Sequence, residues 1–256
     1  MPVGTLRRVD LLERPATPHR RHPWERARTS FFAGILESVL GSRDLGRVLD
    51  IGAGDGFVAG ELARRFRITG QAVCWDVNYD ESDLVAPMPP KIRRVDAAPA
   101  GQFDVVLLLD VLEHVEHDAE FVDGVVLPRV APGGLLLVSV PAHPALFSSH
   151  DVALGHYRRY RPEAIRKLLG NRLEVLREGP LFLSLVAARA FEVVVERLRP
   201  SAPRPLTGVG AWTGGPIATS VLTGALTLDG AVSRRVQGTW LASAGLTYWL
   251  CCRRLG

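Results

Sequence analysis

Lysine is almost missing from this chain. Lys91 and Lys167 are its only two lysines in 256 residues, and every other basic side chain is arginine. The net charge is +4, but the arginines are scattered and no basic–aromatic track is present, so a nucleic-acid partner is not expected. Cysteine is scarce as well. Cys74, Cys251 and Cys252 have no metal-ligand spacing, and adjacent cysteines seldom pair, so neither a disulfide framework nor a zinc site is expected and a reducing cytoplasm is the expected location. Long apolar runs are also absent. The nearest, "IATSVLTGALTL" and "AGLTYWLCC", fall short of the roughly 20 residues that span a bilayer, so no transmembrane segment is expected. The opening "MPVGTLRRVDLLERPATPHRRHP" carries basic residues without the apolar core of a secretory signal.

What is present describes a globular chain. At 47% hydrophobic and 23% charged residues it can bury a large core. Residues 1–23 read as an irregular leader and 24–256 as a single domain. From Trp24 to Leu40 apolar residues recur at helical spacing, and Gly41 closes the helix. Strands then alternate with helices: "RVLDI", "QAVCWDV", "KIRRVD", "FDVVLLLD" and "GGLLLVSV" are strands, the last entered through a turn at "APGG". "GFVAGELARRF", "DAEFVDGVVLPRV" and "RPEAIRKLLG" are helical, with Pro128 ending or kinking the second. "RLEVLREGPLFL" reads as a strand broken at Gly179-Pro180, and "GLTYWLCCRR" as the closing strand. This alternation implies an α/β, doubly wound sheet with helices on both faces. Residues 184–240 form an insertion, with a Pro- and Gly-rich loop at 199–216. It could meet a lipophilic substrate, a second subunit or a membrane surface, although core packing is the expected use of most of its apolar residues.

The most legible stretch is "VLDIGAGDGFVAGEL", Val48 to Leu62. In an open parallel sheet ligands bind beyond the carboxyl ends of the strands. Gly52, Gly54 and Gly56 would let a ligand approach the backbone there, with N–H groups at the helix start free to hold an anion. Phe57 occupies the position of a dinucleotide fold's third glycine. Three acids follow three successive strands. Asp50 suits a nearby ammonium or sulfonium, Asp76 the two hydroxyls of a ribose, and Asp96 an exocyclic amine such as that of adenine. Together they describe a zwitterionic amino acid joined to a nucleoside.

"VLDIGAGDG", "WDV", "VDAAP" and "FDVVLLLDVLEHVEH", taken in order, resemble the class I S-adenosylmethionine-dependent methyltransferases. The resemblance covers roughly Trp24 to Leu169 and implies a Rossmann-like seven-stranded sheet of order 3-2-1-4-5-7-6 with the last strand antiparallel. It implies S-adenosylmethionine as cofactor, held by Asp50, Gly52, Ala53, Gly54, Asp76, Val77, Asp96, Ala97, Asp110 and Val111. The glycine motif says nothing about the substrate.

Methylating an oxygen or nitrogen calls for a base or a metal. His114, His150 and His156 are the candidate catalytic residues, and Glu113, His143, Tyr157 and Arg159 the candidate substrate contacts. "DVLEH" is similar to the metal-binding segment of some ubiquinone-pathway O-methyltransferases and of an RNA 2′-O-methyltransferase family, where the first position is usually glutamate. Asp110, Glu113 and His114 are therefore the candidate metal ligands, for Mg²⁺ or Mn²⁺, although many relatives carry the segment without a metal. "HDVALGHYRRY" reads as a lid, in which Arg158 and Arg159 could meet an anionic substrate or pair with Glu163. His117 reads as a surface residue at a helix start.

The expected activity is methylation of a small, apolar metabolite, with oxygen slightly favoured over nitrogen. The alternatives are an inactive binding module on the same fold, or an enzyme of this fold that catalyses a non-methylating rearrangement. Phe57 and the lack of a Tyr-x-x-x-Lys pair weigh against a nicotinamide-dependent enzyme. The lack of an N-P-P-Y-like segment weighs against nucleic-acid methylation. A homodimer is a further expectation.

Overall fold

A computed structural model describes residues 21–199, 212–237 and 239–256. Most of the expected leader and of the 199–216 loop lies outside the described residues. Seven strands form one sheet: β1 (Val48–Ile51), β2 (Ala72–Trp75), β3 (Ile92–Val95), β4 (Phe103–Leu109), β5 (Val130–Pro141), β6 (Leu173–Leu181) and β7 (Thr247–Arg254). Their order is β3-β2-β1-β4-β5-β7-β6, with β7 antiparallel to both neighbours and the other pairs parallel. The longer helices are α1 (Pro23–Leu40), α2 (Phe57–Arg65), α3 (Pro162–Leu169), α4 (Leu183–Leu198) and α5 (Pro216–Arg235).

Strand residues alternate between two cores. Leu49, Val106, Val138 and Leu250 pack on one face with Phe121, Ile165 and Leu169. Val48, Val105, Leu137 and Trp249 pack on the other with Phe31, Phe32, Leu36 and Leu62. Burial on both faces explains why these strands read as near-continuous apolar runs.

Two local expectations are corrected, and a third is given its detail. "APGG" is not a turn before β5 but a bulge within it: Phe103 pairs with Val130, and Val105 already with Leu135. β6 runs unbroken through Gly179-Pro180, where Pro180 pairs with Tyr248; an edge strand tolerates a residue without an N–H. The helix at Pro128 passes from Asp118–Phe121 through a π-turn, Val122–Val126, to Leu127–Arg129, and so ends one residue past the proline. The wider turn relieves the clash of a proline ring with the carbonyl four residues back.

The insertion departs furthest from expectation. In α4 the buried residue is Val193, and in α5 the buried residues are Thr219, Gly230 and Ser233. Most apolar side chains of these helices therefore do not pack in the core. Among the described residues, no helix is long and apolar enough to cross a membrane.

Candidate active site

The carboxyl edge of the sheet carries the glycine turn. Gly52, Gly54 and Gly56 all have positive φ, and their surroundings differ. A Cβ on Gly52 would lie 2.6 Å from a methyl of Val111, and one on Gly56 2.8 Å from Met88 Cε. Those two glycines serve the packing of the fold. A Cβ on Gly54 would meet nothing within 4 Å, so of the three it alone opens onto space a ligand could fill. The N–H groups of Gly52 and Ala53 both donate to the Trp75 carbonyl, at 2.8 and 3.2 Å, which fixes the turn to β2.

The acids surround this opening. Asp50 is buried on β1, and burial pushes its carboxyl up to about 7; Arg28 opposes the shift, while the charges of Asp76 and Asp55 add to it. Asp76 is already engaged: Oδ2 accepts from Gly54 N at 3.0 Å, and Oδ1 from Asn78 N and Nδ2 at 2.9 and 3.0 Å. A carboxylate has about four acceptor sites, so one remains rather than the two that a pair of ribose hydroxyls would require. Asp96 and Ala97 are exposed just past β3, and Val77 is exposed just past β2. Asp110 has φ +56, and its N–H donates to the Ser139 carbonyl. Its carboxylate accepts from Ser139 Oγ at 2.9 Å and pairs with Arg28. Val111 is buried against Gly52.

Sequence reasoning missed two cations, Arg28 on α1 and Arg21 just before it. Arg28 stacks over Trp24 at 4.3 Å and reaches Asp110, with its Nε buried and without a partner. Arg21 pairs with Asp55 and Glu25 and covers the Phe57 ring. Glu25 and Arg28 share one face of α1, and Arg21 stands two residues before that helix; the surface that these cations meet could not be read from the sequence.

A second cluster lies beyond β4 and β5. One ligand atom each from Glu113, His114 and His156 fall within 4.8 Å of one another. The His114 and His156 rings meet edge to face at 4.6 Å. Burial, reinforced by His156, pushes His114 down to about 3, so it is neutral at ordinary pH. His156 Nδ1 lies 3.0 Å from Asp151 Oδ1. Asp151 is fully buried and also accepts from Arg159 Nε at 2.7 Å, Arg189 at 2.9 Å and Ser148 N at 3.0 Å. Burial alone would raise its carboxyl; hydrogen bonds from His156 and Arg159, with the Arg159 charge, outweigh it and hold Asp151 below the ordinary carboxylate range. An ionised Asp151 can only accept, so the proton of His156 sits on Nδ1 and the lone pair on Nε2.

Several expected roles change. Arg159 is not a substrate reader: it is buried, bonded to Asp151 and to the Ala142 carbonyl at 3.2 Å. Arg158 bonds the Glu116 carbonyl and Asp118 rather than Glu163. Asp110 is not part of the metal-type cluster, because Ser139 and Arg28 hold its carboxylate; His156 stands in its place. His150 lies in the short helix Ser149–Ala153, lowered by burial and then by Arg189, and outside that cluster. Tyr157 ties the segment after the short helix Ser149–Ala153 to the cluster through its backbone, its N–H donating to the Glu113 carbonyl at 2.7 Å. His143 follows β5 with φ +60 and a buried Nε2 without a partner. His117 is exposed at the N-cap of the Asp118–Phe121 turn. Arg189, from α4, had no sequence signal.

Residues 19–197 match the family model described as a methyltransferase domain. The chain belongs to that family, within the class I S-adenosylmethionine-dependent methyltransferases. Over 103 residues this methyltransferase-family chain is 32% identical to the ubiquinone biosynthesis O-methyltransferase of Psychrobacter cryohalolentis, a match spanning 36% of this chain and 40% of that protein. The corresponding protein of Caulobacter sp. matches at 32% over 107 residues with the same coverage. The curated relatives are thus matched over less than half of their length. The fold is similar to that of the 4+2 cyclase SpnF, with a TM-score of 0.55 at 17% identity, covering 95% of this chain and 86% of that one. Coclaurine N-methyltransferase gives 0.53 at 12%, covering 88% and 70%.

Proposed function

We propose that this methyltransferase-family chain moves the methyl group of S-adenosylmethionine onto a hydroxyl oxygen of a small, apolar molecule, with His156 as general base. The contact between Asp151 and His156, 3.0 Å long and adjoining Glu113 and His114, carries this reading.

The residues fit the cofactor. Gly54 opens the turn, Asp50 offers charge to an ammonium, Asp76 keeps one acceptor site, and the orphaned Arg28 Nε suits a carboxylate. When bound, S-adenosylmethionine supplies an electrophilic methyl group on sulfur. The chain's own task is to align the acceptor and remove its proton. Of the three candidate histidines, His114 is too weak a base at about 3, and His150 is outside the cluster. His156 presents Nε2, and Asp151 stabilises the imidazolium that forms. Arg159 and Arg189 keep Asp151 ionised and fixed.

A screen of apolar phenols and alcohols with labelled S-adenosylmethionine tests this. The expected result is transfer by wild type and loss of transfer by His156→Gln, with S-adenosylhomocysteine binding unchanged. Transfer by the variant at the wild-type rate would sink it.

One observation favours a second reading, in which a divalent metal replaces the base. Glu113, His114 and His156 form a compact donor set, His114 Nδ1 is buried without a partner, and Asp151 buttresses His156 as a carboxylate does behind a ligating histidine. Glu113, His114 and His156 would then hold the ion, which would lower the pKa of an acceptor hydroxyl. Loss of turnover in a chelator, restored by Mn²⁺, would decide for it.

A further inference from the structure

A surface helix ordinarily turns its apolar stripe to the core and its charges to water. Both insertion helices do the reverse. On α4, Phe191 and Leu198 are 70% and 76% exposed, and Val194 shares their face. Two charged residues of α4 look inward instead: Arg189, with 11% of its side chain exposed, reaches Ser148 and Asp151, and Glu196 accepts from Ser149 N. On α5, Ile217 is 80% exposed, and Val221, Leu228 and Val232 continue one outward stripe. The inward stripe is polar or small: Thr219, Gly230 and Ser233 are buried, and Asp229 caps the start of α4 by accepting from Leu183 N and Ser184 N.

We propose that this outward face of α4 and α5 docks on the surface of an anionic lipid bilayer. Charge decides the occupant. The stretch Pro216 to Leu228 contains no charged residue. Glu196 and Asp229 are spent on backbone N–H groups, and Glu192 pairs with Arg189. Arg197, exposed and with one N–H on the Ala145 carbonyl, flanks the α4 stripe, and Arg235 falls on the α5 stripe seven residues after Leu228. Arginine stems lie along apolar surface while their heads reach phosphate, an arrangement that binds acidic headgroups beside buried apolar side chains. A second copy on the same face would bring a second set of these cations to the same rim. Because Arg189 holds Asp151 from the opposite side of α4, docking sets the His156 cluster about one helix diameter, ~10 Å, from the lipid. This inference does not depend on the reaction catalysed.

Flotation with vesicles tests it, comparing phosphatidylcholine alone with phosphatidylcholine containing about one-third phosphatidylglycerol. Wild type is expected to float with the anionic vesicles, less so as salt rises, and weakly with neutral ones. Phe191→Ser with Leu228→Ser should lower the partition about tenfold or more, with unchanged circular dichroism since both side chains are exposed. Arg197→Gln with Arg235→Gln should keep the neutral binding and lose the preference for phosphatidylglycerol. The proposal is overturned if wild type ignores anionic vesicles at low salt, or if the apolar double variant binds like wild type. A dimer by light scattering that the same double variant splits, without vesicle binding, would assign the face to a second copy and also overturn it.

Discussion

Asp151 and His156 lie five residues apart, and their side chains meet at 3.0 Å because the chain turns through Gly155, at φ +74, after the short helix Ser149–Ala153. That contact fixes one tautomer of His156, whose ring lies beside Glu113 and His114. Replacing His156 by Gln should lower kcat by about 10²–10⁴, the usual contribution of a positioned base, with little change in melting temperature. Asp151→Asn should lower kcat too, and it should also destabilise the fold by about 3–5 kcal/mol, because Arg159 and Arg189 lose their buried counter-charge. Labelled-methyl turnover and thermal melts of the two variants separate these effects.

Asp50 makes cofactor affinity depend on pH. In the free protein its carboxyl is raised to about 7, so it carries a proton below that pH. A ligand ammonium favours the ionised form, and binding must release the proton. S-Adenosylhomocysteine should therefore bind more tightly as pH rises through about 7 and level off above it. Calorimetry in two buffers of different ionisation heat should show proton release in wild type and none at this site in Asp50→Asn. Linkage also sets the stability of the free protein. With the folded-state value above the ordinary 3.8, the stability from Asp50 is fully present below that ordinary value and is lost as pH rises toward 7.

Gly52 and Gly54 separate fold from ligand binding. Gly52→Ala meets Val111 at 2.6 Å and should cost about 1–3 kcal/mol in denaturant unfolding. Gly54→Ala has room for its methyl and should cost about 1 kcal/mol through its positive φ alone. It should nevertheless weaken S-adenosylhomocysteine about tenfold or more by filling the opening. Equal losses of stability in the two variants would contradict this division.

Arg28 is expected to hold the carboxylate of the amino-acid part. Arg28→Gln should weaken S-adenosylhomocysteine by about 1.5–3 kcal/mol, the range for a hydrogen bond to a charged group. It should leave methylthioadenosine, which lacks the carboxylate, at wild-type affinity. Equal weakening of both ligands would mean that Arg28 acts only by pairing with Asp110 and shaping the edge of the sheet.

The strands were legible because parallel strands buried on both faces announce themselves as apolar runs; their order came from the family resemblance that "VLDIGAGDG" and the segments after it carry. The place of the three acids was legible for a related reason: Asp50 stands one residue before the end of β1, and Asp76 and Asp96 directly follow β2 and β3, positions that the sequence itself marks. The second cluster was only half legible. His114 and His156 stood out by residue type, but Asp151 as the hub depends on Arg189, 38 residues further along the chain. No local pattern announces a contact made across an insertion. The insertion itself was misread, since apolar periodicity reports that a helix has a greasy stripe and not which way it faces. Pro180 misled because the edge position that accommodates it is set by tertiary context.

The central claim is that His156, held by Asp151, removes the acceptor's proton. It is tested most directly by comparing wild type with His156→Gln on a series of phenolic acceptors of decreasing hydroxyl pKa. The account predicts that the variant's defect shrinks steadily along the series and nearly vanishes for an acceptor already ionised at the assay pH. A defect of constant size along the whole series would contradict it, and would show that His156 does something other than take the proton.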